Sequence, residues 1–234
     1  MRVPTGVRGF DELVEGGLID ERVYVLSGPP GSGKTTFATQ FIAQGVADGD
    51  RALYLSMHET KAELVNDMAT FDFGFEAAAG SDRFRFIDLR SPEGRRLVSS
   101  SNRNTSETGI DQLTSKLVNF VDARDVDRVV VDSTMLIPRL FPETDNGVAE
   151  FVASLGRTSA TVVLVSEMTD PTSYAEEHYL AHGVVFLHNF LESGRMTRGL
   201  QLVKMRGTDI DCDIHELAFD EDGLAVQPET TITG

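Results

Sequence analysis

The stretch Gly28-Pro29-Pro30-Gly31-Ser32-Gly33-Lys34-Thr35 decides the fold of this 234-residue chain. It matches the phosphate-binding pattern G-x-x-x-x-G-K-[ST] at every fixed position. An apolar run over 23–26 precedes it and a helical run begins near Lys34, so strand, loop and helix follow in the order that the pattern requires. A glycine-rich turn that binds no ligand would not require a strand before it and a helix after it. We therefore predict a phosphate-binding loop between a strand and a helix.

Each residue type in this loop suits the chemistry of a bound nucleotide. The three glycines permit backbone angles and close approaches that a Cβ would block, so successive N–H groups converge on the β-phosphate. The positive end of the following helix faces the same anion. Lys34 can reach the β and γ oxygens, and the Thr35 hydroxyl is placed to ligate Mg²⁺. Thr36, the next residue, joins the predicted nucleotide-binding set.

Length and composition favour a single soluble domain. The 234 residues can bury a sizeable core, and we expect one domain over 1–226 with a frayed polar tail over 227–234. No run of 18 apolar residues and no signal-peptide pattern occurs, so we expect a cytoplasmic protein that does not contact a membrane. The single cysteine, Cys212, excludes an internal disulfide framework.

The charge balance is strongly acidic. Asp and Glu number 37 and Lys and Arg number 21, which gives a formal net charge of -16. Such a field repels nucleic acid at ordinary ionic strength, because binding rests largely on neutralising phosphates. It suits a cytoplasm with molar salt, where the Debye length is about 3 Å. We therefore expect a halophilic source, with an ordinary acidic cytosolic protein as the alternative.

Strand and helix patterns alternate along the chain. Strands are predicted at 23–26, 52–56, 84–89, 128–132 and 161–166. Helices are predicted at 10–14, 34–45, 61–71, 110–123 and 146–157. The segments 184–188, 199–205, 215–219 and 223–226 are predicted to be β-strands. Buried strands separated by helices are typical of an α/β fold with a mainly parallel sheet, here followed by C-terminal antiparallel strands.

Two local features add detail to this pattern. Thr60 is a plausible N-cap with Glu63 three residues later, which predicts a capping box at the start of the 61–71 helix. Residues 90–108 have no periodicity and predict a long loop that is either mobile or a partner-binding segment.

Three separate parts of the chain are expected to meet at one crevice. Ligands of such sheets bind at the carboxyl ends of the strands. The phosphate loop follows one strand, His58 and Glu59 follow another, and Asp132 ends a third. The sequence therefore predicts a single site at this edge of the sheet.

Over nearly its whole length the chain resembles the KaiC-like branch of the RecA superfamily of P-loop ATPases. The matching signatures, in the family's order, are Pro4-Thr5-Gly6, the run 11–18, the run 27–36, Val130-Val131-Asp132-Ser133 and Lys204-Met205-Arg206-Gly207-Thr208. The resemblance implies a RecA-like fold that binds ATP and Mg²⁺. It also implies that Asp132 helps to hold the Mg²⁺, usually through water, with a strand-end turn residue as the alternative.

The resemblance further implies a site shared between subunits. Lys204 and Arg206 match a pair that acts in trans, reaching the γ-phosphate on the neighbouring subunit of a ring, which is a hexamer by family analogy. Added positive charge stabilises the charge that spreads during phosphoryl transfer. Strand alternation would put both side chains on one face, where both are available to one anion. Two solvated surface cations are the alternative.

The chain departs from the family pattern at the end of the second strand. Family members often carry two adjacent glutamates there, one of which polarises the attacking water, and this chain has His58 and Glu59. An imidazole next to Mg²⁺ and Lys34 should resist a positive charge. We expect Glu59 to polarise the water with His58 beside it, and turnover to be slow. A structural strand-end role is the alternative for His58. The region 178–183 also lacks the Ser-Thr pair of the clock protein KaiC, so a self-kinase cycle of that kind is not expected.

We therefore expect an ATP-binding, slowly hydrolysing regulatory protein that acts as an oligomeric ring switch in signalling, with protein partners that the sequence does not identify. A nucleotide-binding scaffold that hardly hydrolyses is the alternative, for which His58 is the chief argument. A recombinase-like DNA-dependent ATPase is less favoured and depends on the arginines of the predicted loop, which are Arg90, Arg95, Arg96 and Arg103.

Overall fold

The chain folds around one large β-sheet. The computed structural model describes residues 1–98, 109–141, 147–170, 172–192 and 194–232. Within these ranges the strands are β1 (Arg2–Val3), β2 (Leu18–Ile19), β3 (Val23–Gly28), β4 (Ala52–Ser56), β5 (Phe84–Asp88), β6 (Arg128–Asp132), β7 (Thr161–Glu167), β8 (Gly183–Glu192), β9 (Arg195–Met205), β10 (Ile214–Asp220) and β11 (Gly223–Thr231).

Helices cover both faces of the sheet. In the same ranges they are α1 (Phe10–Leu13), α2 (Lys34–Asp48), α3 (Lys61–Met68), α4 (Phe75–Gly80), α5 (Pro92–Val98), α6 (Gly109–Arg124), α7 (Ile137–Leu140), α8 (Gly147–Leu155) and α9 (Glu176–Leu180), with a 3-10 turn at Thr134–Leu136. None of the helices in the described ranges combines the length and the apolar character that crossing a bilayer requires.

The sheet order is β11-β10-β9-β8-β3-β7-β6-β4-β5, and the strands from β8 to β5 run parallel. Strands β9, β10 and β11 add to β8 in antiparallel fashion. Side chains alternate between two apolar layers: Tyr54 packs with α2 on one face, and Leu53 and Leu55 pack with α6 and α8 on the other. The predicted α/β fold, with a mainly parallel sheet and C-terminal antiparallel strands, is confirmed.

The predicted boundaries are close to those observed. Strands β4 and β6 occupy the predicted residues. The capping box of α3 is present, because the Glu63 N–H donates to Thr60 Oγ1 at 3.2 Å and the Thr60 N–H donates to Glu63 Oε2 at 2.8 Å. Helix α3 ends at Met68, three residues before the predicted end at 71.

The predicted loop over 90–108 needs correction in its first part. Helix α5 occupies Pro92–Val98, and residues 99–108 lie outside the described ranges. A start signal was present in the sequence, because Ser91 precedes a proline that is suited to the first helical position. The Gly94 N–H donates to Ser91 Oγ at 3.0 Å. A seven-residue helix is too short to show apolar periodicity, which explains why the pattern indicated a loop.

The polar tail predicted over 227–234 also needs correction. Strand β11 continues to Thr231, with Gln227 paired to Glu216 and Thr231 paired to His215 across a bulge. The Ile232 N–H donates to Ile214 O at 2.7 Å. The neighbouring strand β10 supplies these backbone partners, and polar composition alone carries no signal of them.

A buried arginine joins the N-terminal segment to the sheet. Arg128, at the start of β6, is only 1 % exposed. Its Nε donates to Asp50 Oδ2 at 2.7 Å and its Nη1 donates to Pro4 O at 2.7 Å. Its guanidinium lies 4.8 Å from the centre of the Phe41 ring. The arginine therefore has little freedom to move.

We predict that Gly45→Ala destabilises the fold. A Cβ at this position of α2 would lie 2.3 Å from both Cδ and Nε of Arg128. Because Arg128 is fixed by its partners, overpacking should lower the free energy of unfolding by about 1–3 kcal/mol. Denaturant titration at constant salt measures this change.

Gly80→Ala in α4 is the matched control, since a Cβ there meets nothing within 4 Å. Alanine should be neutral or slightly stabilising at that position. If Gly45→Ala were as stable as Gly80→Ala, the packing argument for Arg128 would be wrong.

Candidate functional site

A cleft of about 520 Å³ lies at the carboxyl ends of the parallel strands. The phosphate loop and the start of α2 form one wall. His58, Asp132 and Glu167 contribute to the opposite side, each from the end of a different strand. The structure thus brings together the loop, the end of β4 and the end of β6, which are the three parts predicted from the sequence to meet.

The loop fits a phosphate because Gly28 and Gly33 allow a close backbone path that a side chain at either position would block. Gly28 ends β3 with a φ of 152°, and a Cβ on it would lie 2.5 Å from Leu187 O. Gly33 has a φ of 108° and is the N-cap of α2, which runs for 15 residues. The free N–H groups at the start of a helix and the helix dipole both favour an anion. The cradle is therefore suited to a phosphate group.

Lys34 lies at the base of this cradle and is 7 % exposed. Its Nζ donates to Gly28 O and Pro29 O, both at 2.9 Å. Burial lowers the pKa of Lys34, and the carboxylates of Glu167 and Asp132 act in the opposite direction. The two carbonyl oxygens hold the ammonium in place without neutralising it, so a positive charge remains beside the loop.

Asp132 is the most buried acidic residue among the charged groups that line the cleft, with 2 % exposure. Its Oδ2 accepts hydrogen bonds from the Tyr54 hydroxyl at 2.6 Å and from Thr35 Oγ1 at 3.3 Å. Burial raises the pKa of Asp132, and the bonds from Tyr54 and Thr35 oppose this shift. Sequence reasoning missed Tyr54, whose signal was a hydroxyl on an otherwise apolar buried strand.

The oxygens of Thr35 and Asp132 fit a magnesium ion. Mg²⁺ prefers oxygen ligands and usually binds through one or two carboxylates together with water and substrate phosphates. Among the described residues, no group of three or more His, Cys, Asp or Glu side chains could hold a metal ion. The donor set is therefore one that suits a magnesium ion carried by a nucleotide.

His58 and Glu59 follow β4, and their positions differ. The N–H groups of both residues point to Ser56 Oγ, at 3.4 Å and 2.9 Å. His58 lines the cleft, with Nδ1 4.0 Å from Asp132 Oδ1, whereas Glu59 lies beside it with Oε1 3.4 Å from His58 Nε2. His58 therefore lines the cleft directly, and the Glu59 carboxylate contacts the imidazole of His58.

Neighbouring carboxylates act on the pKa of His58. The hydrogen bond to Glu59 raises the pKa of His58, burial opposes this, and the charge of Asp132 adds to the rise. The expectation that the ring resists a positive charge beside Lys34 and Mg²⁺ did not consider these carboxylates, and it stays a prediction for the nucleotide-bound site. The two carboxylates beside the ring favour the imidazolium.

Lys204 and Arg206 lie outside the cleft of their own chain. Lys204 Nζ donates to His178 O at 3.1 Å and to Tyr179 O at 3.0 Å, and Arg206 donates to Tyr179 O at 3.4 Å. The shared carbonyl brings both side chains to one place, although Arg206 lies in the turn after β9 and not in the alternating strand that the sequence predicted. Burial lowers the pKa of Lys204, and the neighbouring Arg206 adds to the effect.

The pairing of the strands separates this cation pair from the loop. Lys204 is opposite Val184 in β8, and Val184 is beside Val25 in β3. Gly28 is three residues further along β3, or about 10 Å at roughly 3.3 Å per residue. The pair therefore lies nearer to the amino ends of the parallel strands than the phosphate loop does.

Further cleft residues were not predicted from the sequence. Glu167 pairs with Gly28 at the end of β7, and Arg139 in α7 and Phe219 in β10 also line the cleft. Glu167 could have been found, because the predicted strand 161–166 ends at the same edge of the sheet. Arg139 lies in the four-residue helix α7, which follows a short turn, and neither element shows periodicity.

Comparison with known proteins gives three consistent similarities. A family model described as "ATPase: KaiC" matches residues 3–231. The circadian clock oscillator protein KaiC of Prochlorococcus marinus is 26% identical over 219 residues, which are 88% of this chain and 41% of that protein. A UPF0273 protein of Methanopyrus kandleri is 26% identical over 97% of this chain and 92% of its own length.

A solved structure is similar along the whole chain. The KaiC-like protein of the hyperthermophilic archaeon Pyrococcus horikoshii superposes with a TM-score of 0.78 at 26% identity, covering 97% of this chain and 99% of that one. The chain spans less than half the length of the KaiC relative from Prochlorococcus. Its length corresponds instead to those of the two archaeal proteins.

Proposed function

The chain belongs to the KaiC family of ATPases, and on that premise we propose that it binds ATP with Mg²⁺ and hydrolyses it slowly as an oligomeric regulatory switch. One observation carries the proposal. A complete phosphate and metal cradle lies in the cleft, while the cation pair Lys204 and Arg206 is held nearer to the amino ends of the parallel strands. A chain built in this way can bind a nucleotide alone but needs a neighbour for turnover.

In this proposal, binding depends on the loop and two oxygen ligands. The loop 28–36 surrounds the phosphates through the N–H groups of its residues other than Pro29 and Pro30, and Lys34 exchanges its two carbonyl partners for β and γ oxygens. Thr35 and Asp132 hold Mg²⁺, which supplies charge neutralisation of the phosphates. The Tyr54 hydroxyl, 2.6 Å from Asp132 Oδ2, fixes the carboxylate that faces the ion.

We propose that His58 faces the attacking water and that Glu59 orients its ring. This assignment is supported by the position of His58 on the cleft wall and by the 3.4 Å contact between the two side chains. An imidazole held near two carboxylates is a poor acceptor for a proton of the attacking water, because the carboxylates favour the form in which both ring nitrogens are already protonated. Slow turnover follows from this arrangement.

We propose that Lys204 and Arg206 complete the site of the next chain in a ring, a hexamer by analogy with the family. Their separation from the cleft of their own chain supports a role in trans. Both cations contact carbonyl oxygens of α9, so they are already directed to one place. They would stabilise the charge on the γ-phosphate during transfer. Protein partners, a signalling role, a halophilic archaeal source and a cytoplasmic location stay predictions.

We predict that Tyr54→Phe weakens Mg²⁺ binding about tenfold, as loss of a partner that orients a metal ligand typically does. Titrating Mg²⁺ against the binding of a fluorescent ATP analogue measures the change without requiring turnover. Tyr24→Phe is the matched control, since that hydroxyl bonds only to backbone atoms of Ile19 among the described residues. Equal Mg²⁺ affinity for native protein and Tyr54→Phe would contradict the role of Tyr54.

The decisive test of the function pairs phosphate release with nucleotide binding over a range of salt concentrations. A hydrolysing switch releases phosphate in proportion to bound ATP, whereas the alternative, a nucleotide-binding scaffold, binds ATP and releases none. The scaffold is favoured by the presence of His58 where the family often has a glutamate. The DNA-dependent alternative stays a prediction: Arg90 pairs with Asp88 at 3.4 Å and with Glu63 at 3.8 Å, and Arg103 lies outside the described ranges.

A further inference from the structure

Helix α9 connects the two halves of the proposed shared site. Its buried side chains, Glu177 and His178, are 7 % and 3 % exposed and are both polar. Ser166 Oγ donates to Glu177 Oε1 at 3.0 Å, and His178 Nε2 lies 2.7 Å from Ser27 Oγ. Each of the two serines directly precedes a residue of the cleft region, since Gly28 follows Ser27 and Glu167 follows Ser166.

The backbone of α9 holds the cation pair. Lys204 and Arg206 donate to the carbonyl oxygens of His178 and Tyr179, which are the third and fourth residues of this five-residue helix. One short helix therefore contacts the phosphate-loop strand of its own chain through side chains. It contacts the cations offered to a neighbour through its backbone.

The ring of His178 is held by contacts at both nitrogens. Burial lowers the pKa of His178, which favours the neutral ring. Nδ1 lies 3.1 Å from Ala175 N and 3.3 Å from Ala175 O, and Nε2 lies 2.7 Å from Ser27 Oγ. The ring of His178 therefore contacts β3 at Ser27, the residue before Gly28, which ends the strand.

The packing around α9 leaves it room to move. A cavity of about 460 Å³ lies against the helix and shares Glu167 and Met135 with the nucleotide cleft. Tyr179 is 66% exposed and Leu180 is 41% exposed, so these large side chains do not anchor the helix in the core. The helix is thus positioned mainly by polar contacts, which are directional and can change as a unit.

We propose that α9 is a relay through which the phosphate loop of a chain sets the position of that chain's Lys204 and Arg206 in the neighbouring site. The proposal rests on the shared site described under the proposed function. A shift of Ser27 when the loop binds a nucleotide moves His178, and the carbonyl oxygens that hold the two cations move with it. Coupling of this kind is reciprocal, so engagement of the cations by a neighbour also changes nucleotide affinity in the chain that donates them.

The test uses assemblies mixed from two chains. An accepting chain carries Lys204→Ala and Arg206→Ala and keeps its loop. A donating chain carries Glu59→Gln, which slows its own hydrolysis but leaves its loop able to bind ATP, and keeps its cations, so most ATP turnover in the mixture comes from accepting loops completed by donated cations. We expect Ser27→Ala in the donating chain to lower this turnover about tenfold, although that loop contributes little turnover itself. Ser166→Ala in the donating chain should act in the same direction.

Two controls make the result specific. Ser27→Ala placed in the accepting chain should change turnover less than twofold, because its own cations are absent. Thr158→Ala in the donating chain removes another buried hydroxyl, which bonds to Leu155 O, and should have no effect. An unchanged rate with Ser27→Ala in the donating chain would overturn the relay, as would equal loss from either placement. If, even without Ser27→Ala, the mixture shows no more turnover than the donating chain alone, the shared site itself is wrong, which is a distinguishable failure.

Discussion

Replacing both Lys204 and Arg206 with alanine is expected to reduce ATP turnover by about 10³-fold or more while leaving ATP affinity within a few fold of native. Cations that reach the transferring phosphoryl group in trans contribute about 10³–10⁵ in rate in related chemistry. Affinity is kept because the pair contacts α9 carbonyl oxygens, about 10 Å along the strand direction from the chain's own loop. Phosphate release at saturating ATP, with ATP binding measured on the same samples, checks both parts.

Mixing then tests whether the loss acts between chains. Adding the Lys34→Ala chain, itself unable to hold a nucleotide, should restore part of the turnover, because its intact cations complete sites on the double variant. A triple variant with Lys34, Lys204 and Arg206 all replaced by alanine is the matched control and should restore nothing. If the Lys204→Ala/Arg206→Ala chain hydrolyses ATP at the native rate, the trans role is excluded. If the triple variant restores turnover equally well, the effect comes from assembly alone.

Glu59→Gln is expected to slow a single turnover about 10²-fold, and His58→Glu to accelerate it about tenfold. Positioned acid or base groups typically contribute 10²–10⁴ to such rates. Glu59 is 3.4 Å from the imidazole that lines the cleft, so a neutral amide there removes the charge that orients the ring. A glutamate at 58 would instead present a carboxylate directly at the cleft wall. Rapid mixing with ATP followed by quenching measures the chemical step independently of product release.

Glu63→Gln provides the control for loss of one carboxylate near the same strand, since Glu63 serves the capping box of α3. It should leave the single-turnover rate unchanged. A Glu59→Gln chain that turns over at the native rate would show that Glu59 has no part in activating water. A His58→Glu chain slower than native would argue that the imidazole has a function that a carboxylate cannot replace.

The parallel sheet could be predicted because its strands are apolar runs of about five residues bounded by turn signals. Strand β4 shows why the prediction was accurate: all five of its residues are buried, so the whole run is apolar apart from its last residue. The phosphate loop was equally predictable, because Gly28 and Gly33 have backbone angles and close neighbours that require glycine, and the glycines themselves are visible in the sequence. The edge of the sheet at which the site forms then followed from general rules for such sheets.

The connections around the site were harder to predict. Helices α7 and α9 have four and five residues, which is too short for a period of 3.6 to appear. The role of Tyr54 depends on the register that places β4 beside β6, with Ser56 opposite Asp132, and register is a property of the folded sheet. His58 lines the cleft and Glu59 contacts its ring. This arrangement likewise depends on the backbone turn around Ser56 and not on residue type.

The distance between Lys204 and the loop of its own chain has a consequence for the protein at different concentrations. If each site needs residues from two copies, turnover per chain depends on how many copies are assembled, and assembly follows mass action. A scarce protein would hold ATP as a stable complex, since the cradle is complete in one chain. An abundant protein would hydrolyse it. The same polypeptide would therefore act as a nucleotide store or as a nucleotide consumer according to its own abundance.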